Sequence, residues 1–112
     1  MDVFYALADP TRRKILELLA RQGELSAGQI YAQFTASSPA ISQHLKVLRQ
    51  AGLVKMEKHA QQRLYTINPE AMLELEDWSK QLTQQWNQRL DALDTLLKVE
   101  KEKEVKNQGK DE

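Results

Sequence analysis

The side chains best suited to reading another molecule fall between Ser38 and Arg49, in the run SPAISQHLKVLR. On a helical wheel of about 100° per residue, Leu45 and Leu48 stay within about 40° of Ile41 and form an inward stripe. Pro39, Gln43 and Lys46 then lie opposite, flanked by Ala40 and Val47 on one edge and by Ser42 and Arg49 on the other. A small polar face of this kind suits the major groove of DNA. A glutamine amide can pair with an adenine edge, a serine hydroxyl with several bases, an alanine with a thymine methyl, and lysine or arginine with guanine or phosphate. The plain alternative is an ordinary solvated helix surface. Further on, Lys58 and Arg63, and less strongly Lys55, could hold phosphates or enter a minor groove at the flank of a site. Lysines also shield edge strands from pairing with other chains, which is the competing explanation for them.

Catalytic and metal chemistry lack their parts. There is no cysteine and no carboxylate pair at a turn, and the two histidines, His44 and His59, have no credible catalytic company. No glycine-rich phosphate loop and no Gly-x-Ser-x-Gly elbow is present. His44 sits about 60° from Ile41 on the wheel, the place of a residue packed at the helix edge. Glu74, Glu76 and Asp77 could hold a hard cation, but acidic groups in the first turns of a helix usually complement its dipole. Neither an enzyme nor a bound cofactor or metal is expected.

The elements that must position these residues can be read from caps and periodicity. VFYALA is a short apolar start, and Asp9-Pro10 then opens a helix, since Asp caps free amides and Pro suits the first helical position. Ile15, Leu18 and Leu19 form its apolar side, Arg12, Arg13, Lys14 and Glu17 fall elsewhere, and Gly23 ends it. Ser26 with Gln29 makes a capping box for a short helix expected to stop near Thr35. Ser38-Pro39 repeats the cap-plus-proline start for the next helix, which runs to Gly52. Leu53 to Lys58 and Arg63 to Ile67 then read as a hairpin around His59-Ala60-Gln61-Gln62. No glycine stands at its tip, so a tight two-residue turn is not expected. Asn68-Pro69 opens a long last helix whose apolar residues fall at 72, 75, 78, 82, 86, 90, 93 and 97, close to the helical period. Such a stripe outgrows the small domain beside it and marks an interaction surface.

The formal net charge of the 112 residues is zero, but its distribution is uneven. Residues 1–68 carry nine Lys and Arg against five Asp and Glu, whereas residues 69–112 carry seven against eleven. The first part could therefore face phosphate. No apolar run approaches the roughly 18 residues of a membrane span, and the start shows no export signal, so the cytoplasm is the expected location. Residues 1–97 read as one domain and residues 98–112 as a charged tail, either a solvated helix end or disorder.

DPTRRKILELL, the Leu25-Ser26 start, SSPAISQHLKVLRQAGLV and the hairpin together resemble the ArsR/SmtB family of winged-helix repressors. The resemblance spans residues 3 to 97. It implies a mainly α winged helix-turn-helix fold with a small β-hairpin and a long C-terminal dimerisation helix. It implies that Ser38, Ala40, Ser42, Gln43 and Lys46 approach double-stranded DNA. It also implies dimerisation through the first and last helices, which carry Phe4 and Leu75, Trp78, Leu82, Trp86, Leu90 and Leu93. Two departures separate this chain from the metal-sensing relatives. Where they carry Cys-x-Cys, Glu24-Leu25-Ser26-Ala27-Gly28 stands here, and the last helix has no histidine, so both family metal sites are missing.

The expectation is thus a homodimeric repressor of a palindromic operator that does not respond to metals, released either by an apolar small molecule at its Trp-bearing seam or, with no ligand, controlled by abundance alone. The rival is a winged-helix module that binds protein through the same surfaces.

Overall fold

The computed structural model describes residues 2–110, with side chains to residue 105. Five helices and three strands follow in the order α1 (Val3–Leu7), α2 (Pro10–Gln22), β1 (Leu25–Ser26), α3 (Ala27–Tyr31), α4 (Ser38–Gln50), β2 (Val54–His59), β3 (Gln62–Ile67) and α5 (Pro69–Lys110). The chain divides into two units, residues 1–73 and residues 74–112.

In the first unit, Ile15, Leu19, Ile30, Ile41, Leu45, Leu48 and Leu53 are fully buried, so α2, α3, α4 and the start of β2 share one core. The expected start of α2 is observed: the Asp9 carboxylate accepts from the amides of Thr11 at 2.8 Å and Arg12 at 3.1 Å. Ser26 and Gln29 form the expected reciprocal capping box. Helix α3 is shorter than expected, ending at Tyr31 rather than near Thr35. Beyond it the amides of Gln33 and Phe34 donate to the carbonyls of Ile30 and Tyr31, and these tighter three-residue turns lead the chain off the helix axis. The cap of α4 is Ser37, not Ser38: its hydroxyl accepts from the Ala40 amide at 3.3 Å, and Ser38 and Pro39 are the first helical residues.

Helix α4 ends where expected, and its end sets the start of β2. Gly52, at φ +76°, donates to Arg49, and Leu53 donates to Leu48, the paired bonds of a Schellman motif. Leu48 and Leu53 are both buried, so the apolar contact that accompanies this motif joins the helix to the strand.

The sheet has one strand more than the sequence reading gave. Two-residue β1 pairs antiparallel with β3, giving the order β1-β3-β2. A strand this short shows no alternation that could be read in advance. The hairpin tip corrects another expectation, because His59 pairs with Gln62 and leaves a two-residue turn at Ala60-Gln61. Ala60 takes φ +55° in place of the missing glycine, and among the described residues it is the only non-glycine with positive φ. That conformation strains an L-residue by about 1 kcal/mol. Ala60→Gly is therefore expected to stabilise the protein by up to about 1 kcal/mol, raising Tm by a few degrees in thermal unfolding. An unchanged or lower Tm would count against strain at the tip.

Asn68 does not cap α5 with its side chain, contrary to the Asn68-Pro69 reading. Its amide Nδ2 donates to the Gly52 carbonyl at 2.8 Å while its backbone amide donates to Leu53, which ties the end of the hairpin to the end of α4. In the second unit α5 runs to Lys110. Among the described residues no helix is long and apolar enough to cross a membrane.

Candidate nucleic-acid interface

Helix α4 buries Ile41, Leu45, Val47 and Leu48 and exposes Ser38, Pro39, Ser42, Gln43, Lys46, Arg49 and Gln50. Val47, placed by the wheel at one edge of the outward face, is only 6% exposed and belongs to the core, while Ala40 beside it is half-buried. The core therefore takes the Ala40–Val47 edge, and the polar face is turned toward Ser42 and Arg49. Lys46, Arg49 and Gln50 line a shallow cleft at its end.

The hairpin sorts its basic residues by face. Lys58 lies directly opposite Arg63, so both side chains leave the same face, and alternation puts Tyr65 and Met56 on that face too. Tyr65 is buried, so Lys58 and Arg63 extend the core-facing side of the sheet beyond the edge of the core. Lys55 lies on the other face with Glu57 and His59, whose side chains meet at 3.3 Å. Lys55 is thus separated from the Lys58–Arg63 pair.

Arg12 is the residue that the sequence reading misplaced. It lies one turn before Ile15 on the buried side of α2 and is only 8% exposed. Its Nε donates to the Ala6 carbonyl at 2.7 Å, Nη2 to the Tyr5 carbonyl at 3.1 Å, and Nη1 to His44 Nδ1 at 3.2 Å. The guanidinium also lies over the Tyr5 ring, 5.3 Å from its centre. The end of α1 explains the first bond: the helix stops at Leu7 and Asp9 is extended, so the Ala6 carbonyl has no helical donor above it and Arg12 supplies one. A guanidinium only donates, so the bond to His44 requires a bare Nδ1 with any ring proton on Nε2. His44 thus packs at the helix edge as expected, and one arginine ties α1 and α2 to α4. Nearby, slight burial pushes the Asp9 carboxyl up. Hydrogen bonds from the Arg12 and Thr11 amides and the charge of Arg12 outweigh it, holding the group below its ordinary value.

Along α5, Trp78, Leu82, Trp86, Leu90, Leu93 and Leu97 are all about half exposed, Trp86 at 59%, and Leu75 is half-buried. Phe4 on α1 is about half exposed as well. Among the described residues no group of three or more His, Cys, Asp or Glu is placed to hold a metal ion. Of the acidic residues weighed for a cation, Glu76 pairs with Lys80 at 3.0 Å and Asp77 accepts from Gln81 at 3.3 Å.

A helix-turn-helix followed by a basic two-stranded wing defines the class: a winged helix-turn-helix protein that binds DNA. Residues 9–56 match the family described as bacterial regulatory protein, arsR family. The chain is 40% identical over 77 residues to the transcriptional repressor SdpR of Bacillus subtilis, covering 69% of this chain and 84% of that one. It is likewise 40% identical over 68 residues to the arsenic resistance transcriptional regulator ArsR1 of Pseudomonas putida, covering 61% of this chain and 53% of that protein. An ArsR-like transcriptional regulator from Rhodococcus sp. RHA1 superimposes with a TM-score of 0.77 at 29% identity, over 87% of this chain and 88% of that one. The chain belongs to the arsR family of bacterial regulatory proteins and is a DNA-binding regulator of transcription.

Proposed function

We propose that the protein is a cytoplasmic, sequence-specific repressor that binds a palindromic operator as a homodimer and does not respond to metals. The observation that carries this reading is the exposed α4 face. Ser42, Gln43 and Lys46 stand there between the short helix α3 and the wing, in the position from which a recognition helix reads base edges. Ser38 and Ala40 lie at the start of the same helix, the end from which such helices reach base edges. Repression is the activity named for the Bacillus relative.

Self-complementary spacing on α5 supports the homodimer. Leu82 and Leu90 lie four residues either side of Trp86, Trp78 and Leu93 eight and seven, and Leu75 and Leu97 eleven. A second α5 running antiparallel about a two-fold axis at Trp86 would therefore meet its own pattern, Leu82 against Leu90 and Leu75 against Leu97, as an isologous contact requires. Leu75, Trp86 and Leu97 repeat every eleven residues, the period of nearly straight or slightly right-handed pairing rather than a left-handed coiled coil. Phe4 on α1 would join this interface. The seam around Trp78, Leu82 and Trp86 is also the surface that an apolar effector would use, and control by abundance alone needs no effector.

Selection of bound sequences from a randomised duplex library supplies the operator for the test. Gln43→Ala is expected to reduce preference for that operator over random DNA by about 1–3 kcal/mol per half-site. Lys58→Ala and Arg63→Ala should weaken all sequences alike and reduce the salt slope by about one per half-site each. Equal loss on operator and random DNA for Gln43→Ala would contradict base reading at that position. In the same titration, low micromolar zinc, nickel, cadmium or arsenite should leave affinity unchanged, because soft ions need thiolate or imidazole clusters. A stoichiometric loss of affinity with any of them would overturn the metal-independent reading.

A further inference from the structure

Outside the α4 face, one polar cleft has a composition that selects for a particular chemistry. It lies between α3 and the tip of the wing, has a volume of about 380 Å³, and is lined by Ser26, Tyr31, Gln61, Gln62 and Arg63 among others. Arg63 is the only charged group in this lining and there is no carboxylate, so the cleft favours an anion. A phenol hydroxyl, two carboxamides and a guanidinium can all donate, the set that a phosphate oxygen accepts from.

We infer that this cleft seats one backbone phosphate of the bound duplex, and that Tyr31 is a positioning residue that donates its hydroxyl to the same phosphodiester as Arg63. The inference rests on the DNA-binding reading and deepens it. In a helix-turn-helix complex the first helix of the motif crosses the DNA backbone, and here that helix is α3, which ends on Tyr31. The β1–β3 ladder holds the two sides together: Ser26 pairs with Leu64, which puts Arg63 beside the first turn of α3. A strand that passes from α3 to the wing must cross this cleft. Two donors fixed by separate elements would then set how deeply α4 enters the groove, without reading any base.

The test uses two labelled duplexes, the operator obtained by selection and a scrambled sequence of equal length. Tyr31→Phe keeps the ring and removes only the hydroxyl. It is expected to weaken both duplexes about tenfold per half-site, the usual scale for a hydrogen bond to a charged group, with an unchanged salt slope. Arg63→Ala should weaken both and lower the slope by about one per half-site. The double variant should lose less than the product of the two effects, because both groups hold one phosphate. Methylphosphonate replacement, one position at a time, should find a phosphate whose neutralisation costs wild type affinity, costs each single variant less, and costs the double variant nothing further. Unchanged binding of both duplexes by Tyr31→Phe overturns the inference while leaving DNA binding intact. Loss confined to the operator overturns it as well, since that would be base reading. Competition by inorganic phosphate at constant ionic strength, seen with wild type and absent in Arg63→Ala, would assign the cleft to a free anion instead. Failure of the wild type to bind either duplex would refute the parent reading and this one together.

Discussion

Trp86→Glu is expected to convert the protein from dimer to monomer at about 10 μM while leaving the helix-turn-helix folded. Trp86 is the centre of the self-complementary stripe on α5, and an antiparallel second copy would bring the two residues 86 together on the axis. A carboxylate there would be buried twice over, at a cost of several kcal/mol against the roughly 8 kcal/mol that holds a micromolar dimer. Analytical ultracentrifugation measures the change, and circular dichroism should show the helical content preserved, because the core around Ile15, Leu19 and Ile41 contains no part of the substitution. The operator affinity of the monomer should fall with it, since two half-sites would no longer be bound together. Wild type that already sediments as a monomer would contradict the dimer.

Arg12→Ala is expected to cost about 3 kcal/mol of folding stability, a large share of the 5–15 kcal/mol typical of a domain. The substitution leaves the Ala6 carbonyl at the end of α1 without its donor, takes the partner from His44 Nδ1, and empties the space over the Tyr5 ring. Arg12→Lys keeps the charge, but an ammonium has no planar fork to span two carbonyls and an imidazole, so it should recover only part of the loss. Urea unfolding with an unchanged m-value would report the difference directly. Because His44 stands on α4, both variants should also weaken operator binding, most at temperatures near unfolding. A loss below about 0.5 kcal/mol for Arg12→Ala would show that the arginine is a bystander.

What was legible in the sequence follows from how local each determinant is. The cap at Asp9, the capping box at Ser26 and Gln29, and the glycine at the end of α4 are decided within a few residues, and all three stand where the sequence places them. The expected polar face of α4 is present, but its boundary is set by what packs beside it, which is why Val47 is inside. β1 exists only through its pairing with β3, and Asn68 turns toward Gly52 because the chain returns there. Ala60 accepts the strain of a two-residue turn because the register of β2 and β3 leaves no other closure. Arg12 was misread because its residue type outweighed its spacing: it falls three before Ile15 and seven before Leu19, squarely on the buried side. Tyr31 stood in the sequence without any local pattern, and only the approach of the wing to α3 brings it beside Arg63.

The most direct test of the central claim is a salt titration of wild-type binding to the selected operator and to a scrambled duplex, followed by fluorescence anisotropy. Sequence-specific binding by two recognition helices and two basic wings predicts operator affinity at least about a thousandfold above the scrambled duplex, with both falling steeply as salt rises and counterions are released. Equal affinity for the two duplexes, or binding that salt leaves unchanged, would contradict it and favour a module that uses the same surfaces to hold another protein.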